Sequence, residues 1–172
     1  MTTTSLRVRK DLNADALFQA VRTVLEKIAD VRDRPQHELA DALMSGLALF
    51  SLKDPSLLAF DARRTDETIK SIYHIGAIPS DTTMRKILDE VDPTALYPLF
   101  KKVLARLQRG KGLEDMVFYD GHYLVSNDGT GYFSSEKVHC AECLIKKHHN
   151  GHTEYHHSFL GSVIVHPDRR EV

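Results

Sequence analysis

The chain has 172 residues, of which 42% are hydrophobic and 27% charged. This is the composition of a globular protein rather than a disordered one, and the length fits one ordinary domain, or one small domain with part of another. A formal net charge of −1 excludes a uniformly basic nucleic-acid binder, so any DNA affinity has to come from local patches. No apolar run reaches membrane-spanning length, and Met1 to Lys10 is polar and basic rather than a signal peptide. The two cysteines lie close together, which favours reduced thiols in the cytoplasm over a disulfide framework.

From about Asn13 to Arg109 the pattern is helical. Leu17, Val21, Val24 and Ile28 recur at helical spacing, as do Leu39, Leu43, Leu47 and Phe50. Pro55 opens a short helical turn, and a segment from about Thr65 to Tyr73 is broken by Gly76 and Pro79. Ser80 is placed to cap a helix running to about Glu90, and Asp92 followed by Pro93 repeats that start signal. Leu96, Leu99, Phe100, Val103, Leu104 and Leu107 give the next helix its apolar face, and Gly110 ends it.

After Gly112 the pattern changes. Val117 to Tyr119 and Tyr123 to Val125 predict short strands, and Tyr155 to Val165 predicts a longer, partly buried one. Two units joined near Arg109 to Glu114 follow from this switch.

Two segments of the helical part could meet DNA. Thr68 to Glu90 has the layout of a helix-turn-helix whose second helix starts at Ser80. That puts Ser80, Thr82, Thr83 and Arg85 near a helix N-terminus, where hydroxyls and N–H groups meet phosphates and Arg reaches base edges. An ordinary capped surface helix explains the same residues, and Asp81, Asp89 and Glu90 oppose phosphate. Lys101, Lys102, Arg106 and Arg109 form the strongest basic run. They suit phosphate contacts, or equally a solvated helix face with cations near its C-terminal end. Arg7, Arg9 and Lys10 suggest a basic arm of the same kind.

The stretch from Tyr123 to Ser135 carries the most chemistry. A β-prone run leads into Asp128, and Gly129, Thr130 and Gly131 read as a turn. A carboxylate at a strand end beside glycine suits a divalent metal in phosphoryl-transfer chemistry. A plain Asp-Gly hairpin is the alternative. Asp120, in Tyr119-Asp-Gly-His122, is the rival position.

Eight of the ten histidines lie between His122 and His166. Cys140 and Cys143 have the two-residue spacing that lets both thiolates bind one tetrahedral Zn²⁺. Two histidines from His148, His149, His152, His156 and His157 could complete the site, with His148 and His152 as the chosen pair. His156 and His157 point to opposite faces if they sit on a strand, so at most one of them ligates. The alternative is a polar loop with buried cysteines and solvated histidines.

An ordered series of motifs then stands out: Asp41-Ala-Leu-Met-Ser-Gly-Leu-Ala-Leu-Phe50, Pro55-Ser-Leu-Leu-Ala-Phe60, Ile78-Pro-Ser-Asp-Thr-Thr-Met-Arg85, Ile87-Leu-Asp-Glu-Val-Asp-Pro93, Asp128-Gly-Thr-Gly-Tyr-Phe-Ser-Ser135, Cys140-Ala-Glu-Cys143, Tyr155-His-His-Ser-Phe-Leu160 and Val163-Ile-Val-His-Pro167. In this order they resemble insertion-sequence transposases with an Asp-Asp-Glu triad on a ribonuclease H-like fold. The resemblance implies an α+β chain. Residues 1–111 would form a helical N-terminal DNA-binding domain, and 112–172 the first strands of an incomplete ribonuclease H-like core. It implies Asp128 as the first triad carboxylate, holding Mg²⁺ or Mn²⁺. The partner would be DNA, namely the terminal inverted repeats of a mobile element, with a homodimer allowed, no membrane, and a nucleoid-associated location. The later Asp and Glu are missing, since Asp168 and Glu171 stand in the wrong context. The chain therefore reads as an N-terminal fragment without catalysis of its own. A DNA-binding repressor of transposition and a zinc-binding interaction module are the alternatives.

Overall fold

The structure, a computed structural model, describes residues 12–169. Arg7, Arg9, Lys10 and Glu171 lie outside the described residues. The chain divides into two compact units, Met1–Gly112 and Leu113–Val172. Helix and antiparallel sheet are segregated between them, which is an α+β arrangement. Among the described residues no helix is long and apolar enough to cross a membrane.

The first unit is helical: α1 (Ala14–Leu25), α2 (Leu39–Ser51), α3 (Leu57–Asp61), α4 (Glu67–Ile72), α5 (Asp81–Asp89) and α6 (Tyr97–Arg109), with a 3-10 turn at Pro93–Leu96 before α6. The start signals act through side-chain caps. Asn13, Ser56, Asp66, Ser80 and Asp92 each accept a hydrogen bond from a backbone N–H of the turn that follows. The core is built on α2, where Leu39, Leu43, Met44, Ala48 and Leu49 are all buried. Val21 and Leu25 of α1, Phe60 of α3, Ile69 of α4 and Met84 and Ile87 of α5 pack into the same cluster. Two expected core faces are only partly used. Phe50 is exposed, and on α6 Leu99 and Val103 are half-buried while Phe100, Leu104 and Leu107 face solvent.

The second unit is a four-stranded antiparallel sheet in the order β1-β2-β4-β3: β1 (Val117–Tyr119), β2 (His122–Ser135), β3 (Leu144–Lys147) and β4 (Thr153–Val165). The turn expected at Asp128 to Gly131 is absent. Those residues lie inside β2, a strand of 14 residues, and Asp128 is paired with Gly161 of β4. The continuous ladder explains the difference. Gly129 and Gly131 keep ordinary negative φ, Thr130 is a good strand former, and every residue from Leu124 to Gly131 has a partner on β4. The Asp-Gly hairpin turn sits instead at Asp120-Gly121. Both residues have positive φ, 45° and 75°, as a two-residue type I′ turn requires, and Tyr119 pairs with His122 across it. β3 lies in a segment that carried no strand expectation. No described residue of this unit is buried.

Candidate metal centre and the Asp128 face

The β3–β4 register decides which histidine meets the cysteines. Leu144 pairs with His156 and Lys147 with Thr153. Extending that ladder by one residue sets Cys143 opposite His157, and directly opposed residues share a sheet face. The connection from β2 then folds Cys140 back onto the same place. Ser135 Oγ shapes that connection by accepting from Lys137 N–H at 3.1 Å and Val138 N–H at 2.9 Å. The result is a cluster in which Cys140 Sγ and Cys143 Sγ are 3.7 Å apart. His157 Nε2 lies 3.2 Å from the first sulfur and 3.3 Å from the second. Both cysteines are free thiols. Cys140 N–H donates to Cys143 Sγ at 3.3 Å.

A bulge in β2 orients the imidazole. Gly131 pairs with Ser158 but Phe133 with His157, so Tyr132 is the extra residue. The rings of Tyr132 and Phe133 both stand 5.9 Å from the His157 ring. His156, on the opposite face of β4, lines a shallow groove with Ser134, Lys146 and Glu154. Only one of the adjacent pair reaches the thiols, as strand alternation requires.

His148 and His152 do not join the cysteines. They face each other at the far end of the β3–β4 hairpin, where His148 N–H donates to His152 O at 2.9 Å. From Cys143 to His148 is five residues of extended chain, roughly 17 Å at the rise of a strand. His148 Nε2 instead contacts Glu154 at 2.7 Å, and His152 Nδ1 lies 3.4 Å from Glu136. The Glu154 carboxyl is held below its ordinary range by the Ser134 hydroxyl first and by His148 second. Among the described residues, Cys140, Cys143 and His157 are the only group of three side chains spaced to hold a metal.

Asp128 is exposed on the same sheet face as His157, four residues along β4 from it, roughly 13 Å. Gly161, opposite it, has no side chain of its own, and the Phe159 ring lies over that glycine. β1 pairs only with His122 and Tyr123. From Leu124 onward the β2 edge away from β4 therefore has no strand against it among the described residues.

In the helical unit, Ser80 and Thr83 are committed to the α5 cap. Ser80 Oγ accepts from Thr83 N–H at 3.3 Å and lies 2.8 Å from Thr83 Oγ1. The Asp81 N–H is taken by Asp61 at 3.1 Å, so a carboxylate already sits at this helix start. Thr82 and Arg85 are exposed. On α6, Lys101, Lys102 and Arg109 are exposed, while Arg106 is half-buried and lines a groove with Lys102 and α1 residues.

Sequence reasoning missed the polar centre of this unit. Asp41, buried on α2, accepts Gly76 N–H at 3.0 Å and Ala77 N–H at 2.8 Å, and it pairs with Arg22. Arg22 also reaches Glu26 and Glu38, both at 2.9 Å, and the His74 carbonyl at 2.6 Å. Burial opposes the Arg22 charge, but the hydrogen bonds it donates to Asp41 and Glu26 outweigh that and raise its pKa. This hub fixes the turn between α4 and α5. A lone carboxylate inside the apolar run Leu39 to Phe50 was the available signal.

Comparison with family models, with curated proteins and with solved structures returns no match.

Proposed function

We propose that the chain is the DNA-binding and first catalytic portion of a transposase with an Asp-Asp-Glu triad and a ribonuclease H-like core. On this reading the full enzyme binds the terminal inverted repeats of a mobile element. It then uses water, and later a 3′-hydroxyl, to cut and rejoin phosphodiesters with Mg²⁺ or Mn²⁺. Asp128 would hold one side of the metal pair, stabilising charge on the attacking or leaving oxygen. The ordered series of motifs carries the reading. Its support from geometry is that the aspartate of that series stands mid-strand on an open sheet face, with Gly161 opposite it.

One carboxylate cannot hold two ions in line with a scissile bond. Cleavage therefore needs further carboxylates, brought to Asp128 across the open edge of β2. Pairing of two copies and association with the nucleoid belong to the same proposal. For DNA contact the reading relies on Arg85, Thr82, Lys101, Lys102 and Arg109. It relies less on Ser80 and Thr83, whose hydroxyls already serve the α5 cap. Zn²⁺ at the cysteine cluster is its structural metal.

The test is fluorescence anisotropy of the full chain with labelled duplexes from the DNA flanking its gene, against scrambled duplexes, over a salt series. We expect preferential binding that weakens with salt. Lys101→Gln and Lys102→Gln should each reduce the salt slope by about one. Equal affinity for scrambled DNA, or no salt-sensitive binding, would overturn the reading. Stoichiometric zinc without DNA affinity would favour the second reading, a zinc-binding interaction module, for which the Cys140–Cys143–His157 geometry speaks.

A further inference from the structure

The sheet unit lacks what normally holds a sheet together. Leu124, Val125, Leu144, Ile145, Phe159 and Leu160 are all exposed, and no described residue there is buried. Its order has to come from the hydrogen-bond ladder and from whatever ties its connections down. The longest connection, from Ser135 to Leu144, has the His139 ring stacked 4.3 Å from that of Tyr155 on β4, and at one further place its side chains converge on that strand. That place is the thiol pair against His157.

The spacing of the three donor atoms is that of a coordination sphere. Tetrahedral Zn²⁺ with bonds of about 2.3 Å to sulfur and about 2.05 Å to nitrogen puts two sulfurs about 3.8 Å apart and sulfur about 3.6 Å from nitrogen. The sulfurs here are 3.7 Å apart, and the two sulfur–nitrogen distances are 3.2 and 3.3 Å. A metal entering the triangle would move the ring outward by a few tenths of an ångström. Two thiolates with an imidazole select a borderline-soft ion over Mg²⁺ or Ca²⁺. No fourth His, Cys or carboxylate joins the group among the described residues, and Cys140 is exposed.

We propose that Cys140, Cys143 and His157 bind one Zn²⁺ whose fourth position is open to solvent, and that this ion, in place of an apolar core, fixes the β2–β3 connection and the β3–β4 hairpin. Binding releases two thiol protons to buffer and involves no change of oxidation state. With a neutral imidazole and a water the site then carries no net charge, which suits a half-exposed position. The Tyr132–Phe133 bulge is the orienting device, because it brings both rings to the imidazole whose Nε2 must face the sulfurs. This inference rests on the zinc part of the function proposed above and is independent of its DNA part.

The experiment uses the full chain. Metal content after dialysis is measured by mass spectrometry, with one zinc per chain expected. Replacement by Co²⁺ should give the visible bands of a tetrahedral ion with thiolate charge transfer, and added imidazole should shift them by entering the open position. Amide exchange is then followed with and without a chelator, and protection over Leu144–Lys147 and Thr153–His157 should fall while that of α2 stays. Cys140→Ser, Cys143→Ser and His157→Gln should weaken zinc binding by more than the roughly 10–100-fold typical of changes outside the ligand shell. His148→Gln and His152→Gln should leave it unchanged, and they stay informative if a ligand variant fails to fold. Absence of stoichiometric zinc would overturn both this inference and the structural-metal assignment. Zinc retained in His157→Gln, or lost in His148→Gln, would overturn the ligand set alone. A cobalt spectrum indifferent to imidazole would overturn the open position, and hairpin exchange indifferent to the chelator would overturn the structural role.

Discussion

In the helical unit seventeen apolar side chains are buried between Ala20 and Ile87, whereas the sheet unit buries none of its described residues. The first unit therefore has the ordinary source of stability, apolar area removed from water at about 25 cal/mol per Å². The second has a ladder, an aromatic-flanked imidazole and a thiol pair. Their charges differ as well. Residues 1–112 carry 18 Lys and Arg against 15 Asp and Glu, while residues 113–172 carry 5 against 9 and hold eight of the ten histidines. The cationic excess lies with the helices, and both thiols and most imidazoles lie with the strands. The lesson is that burial and chemistry have been separated along this chain.

The largest effect that would sharpen this contrast is in the helical core. Phe60 is 1% exposed, so Phe60→Ala should cost about 3–5 kcal/mol in urea unfolding. Leu160, 74% exposed on β4, should respond to the same truncation by no more than about 0.5 kcal/mol. A Leu160→Ala cost comparable to that of Phe60→Ala would mean that the sheet face is covered in solution, and the contrast would fail.

Next in size is the polar hub, for which the sheet has no counterpart. Asp41→Ala leaves two N–H groups without their carboxylate and removes one of the three carboxylates that Arg22 contacts, so about 3 kcal/mol should be lost. Amide exchange at Gly76 and Ala77 should accelerate more than at Met44. A uniform acceleration would assign Asp41 to the core as a whole rather than to the turn between α4 and α5.

The sequence made the helical unit legible because its signals were local. Caps at Ser80 and Asp92 and apolar spacing along α1 and α2 act within one or two turns of chain, and they stand as expected except at Phe50, which is exposed. What was not legible depended on partners far along the chain. Asp128-Gly129 reads as a turn in isolation, but eleven paired residues of β4 make it part of a strand. His148 and His152 follow the cysteines sooner than His157 does, but the hairpin register carries them to its far end and brings His157 in their place. Alternation had already limited the choice between His156 and His157. Asp41 was hidden for the same reason, since its partners lie 19 and 35 residues away.

The smallest effect tests the position of the turn. Gly121 has a φ of 75° in the hairpin between β1 and β2, so Gly121→Ala forces an L residue into the left-handed region at a cost of about 1–2 kcal/mol. Gly129 has negative φ within β2, and a Cβ added there would meet nothing within 4 Å. Gly129→Ala should therefore be neutral or stabilise the strand by about 0.5–1 kcal/mol, because alanine loses less backbone entropy than glycine on entering a strand. Both variants can be read from amide exchange along β2 in the full chain. If Gly129→Ala loosened β2 as much as Gly121→Ala, the bend would lie at Asp128 after all. The carboxylate would then stand at a strand end, where an Asp-Gly step suits a metal ion, rather than mid-strand on an open face. With the expected outcome, Asp128 is held by its ladder partners. The approach to its carboxylate is then set by the Phe159 ring over Gly161 and by an edge of β2 that has no strand against it among the described residues, not by a turn.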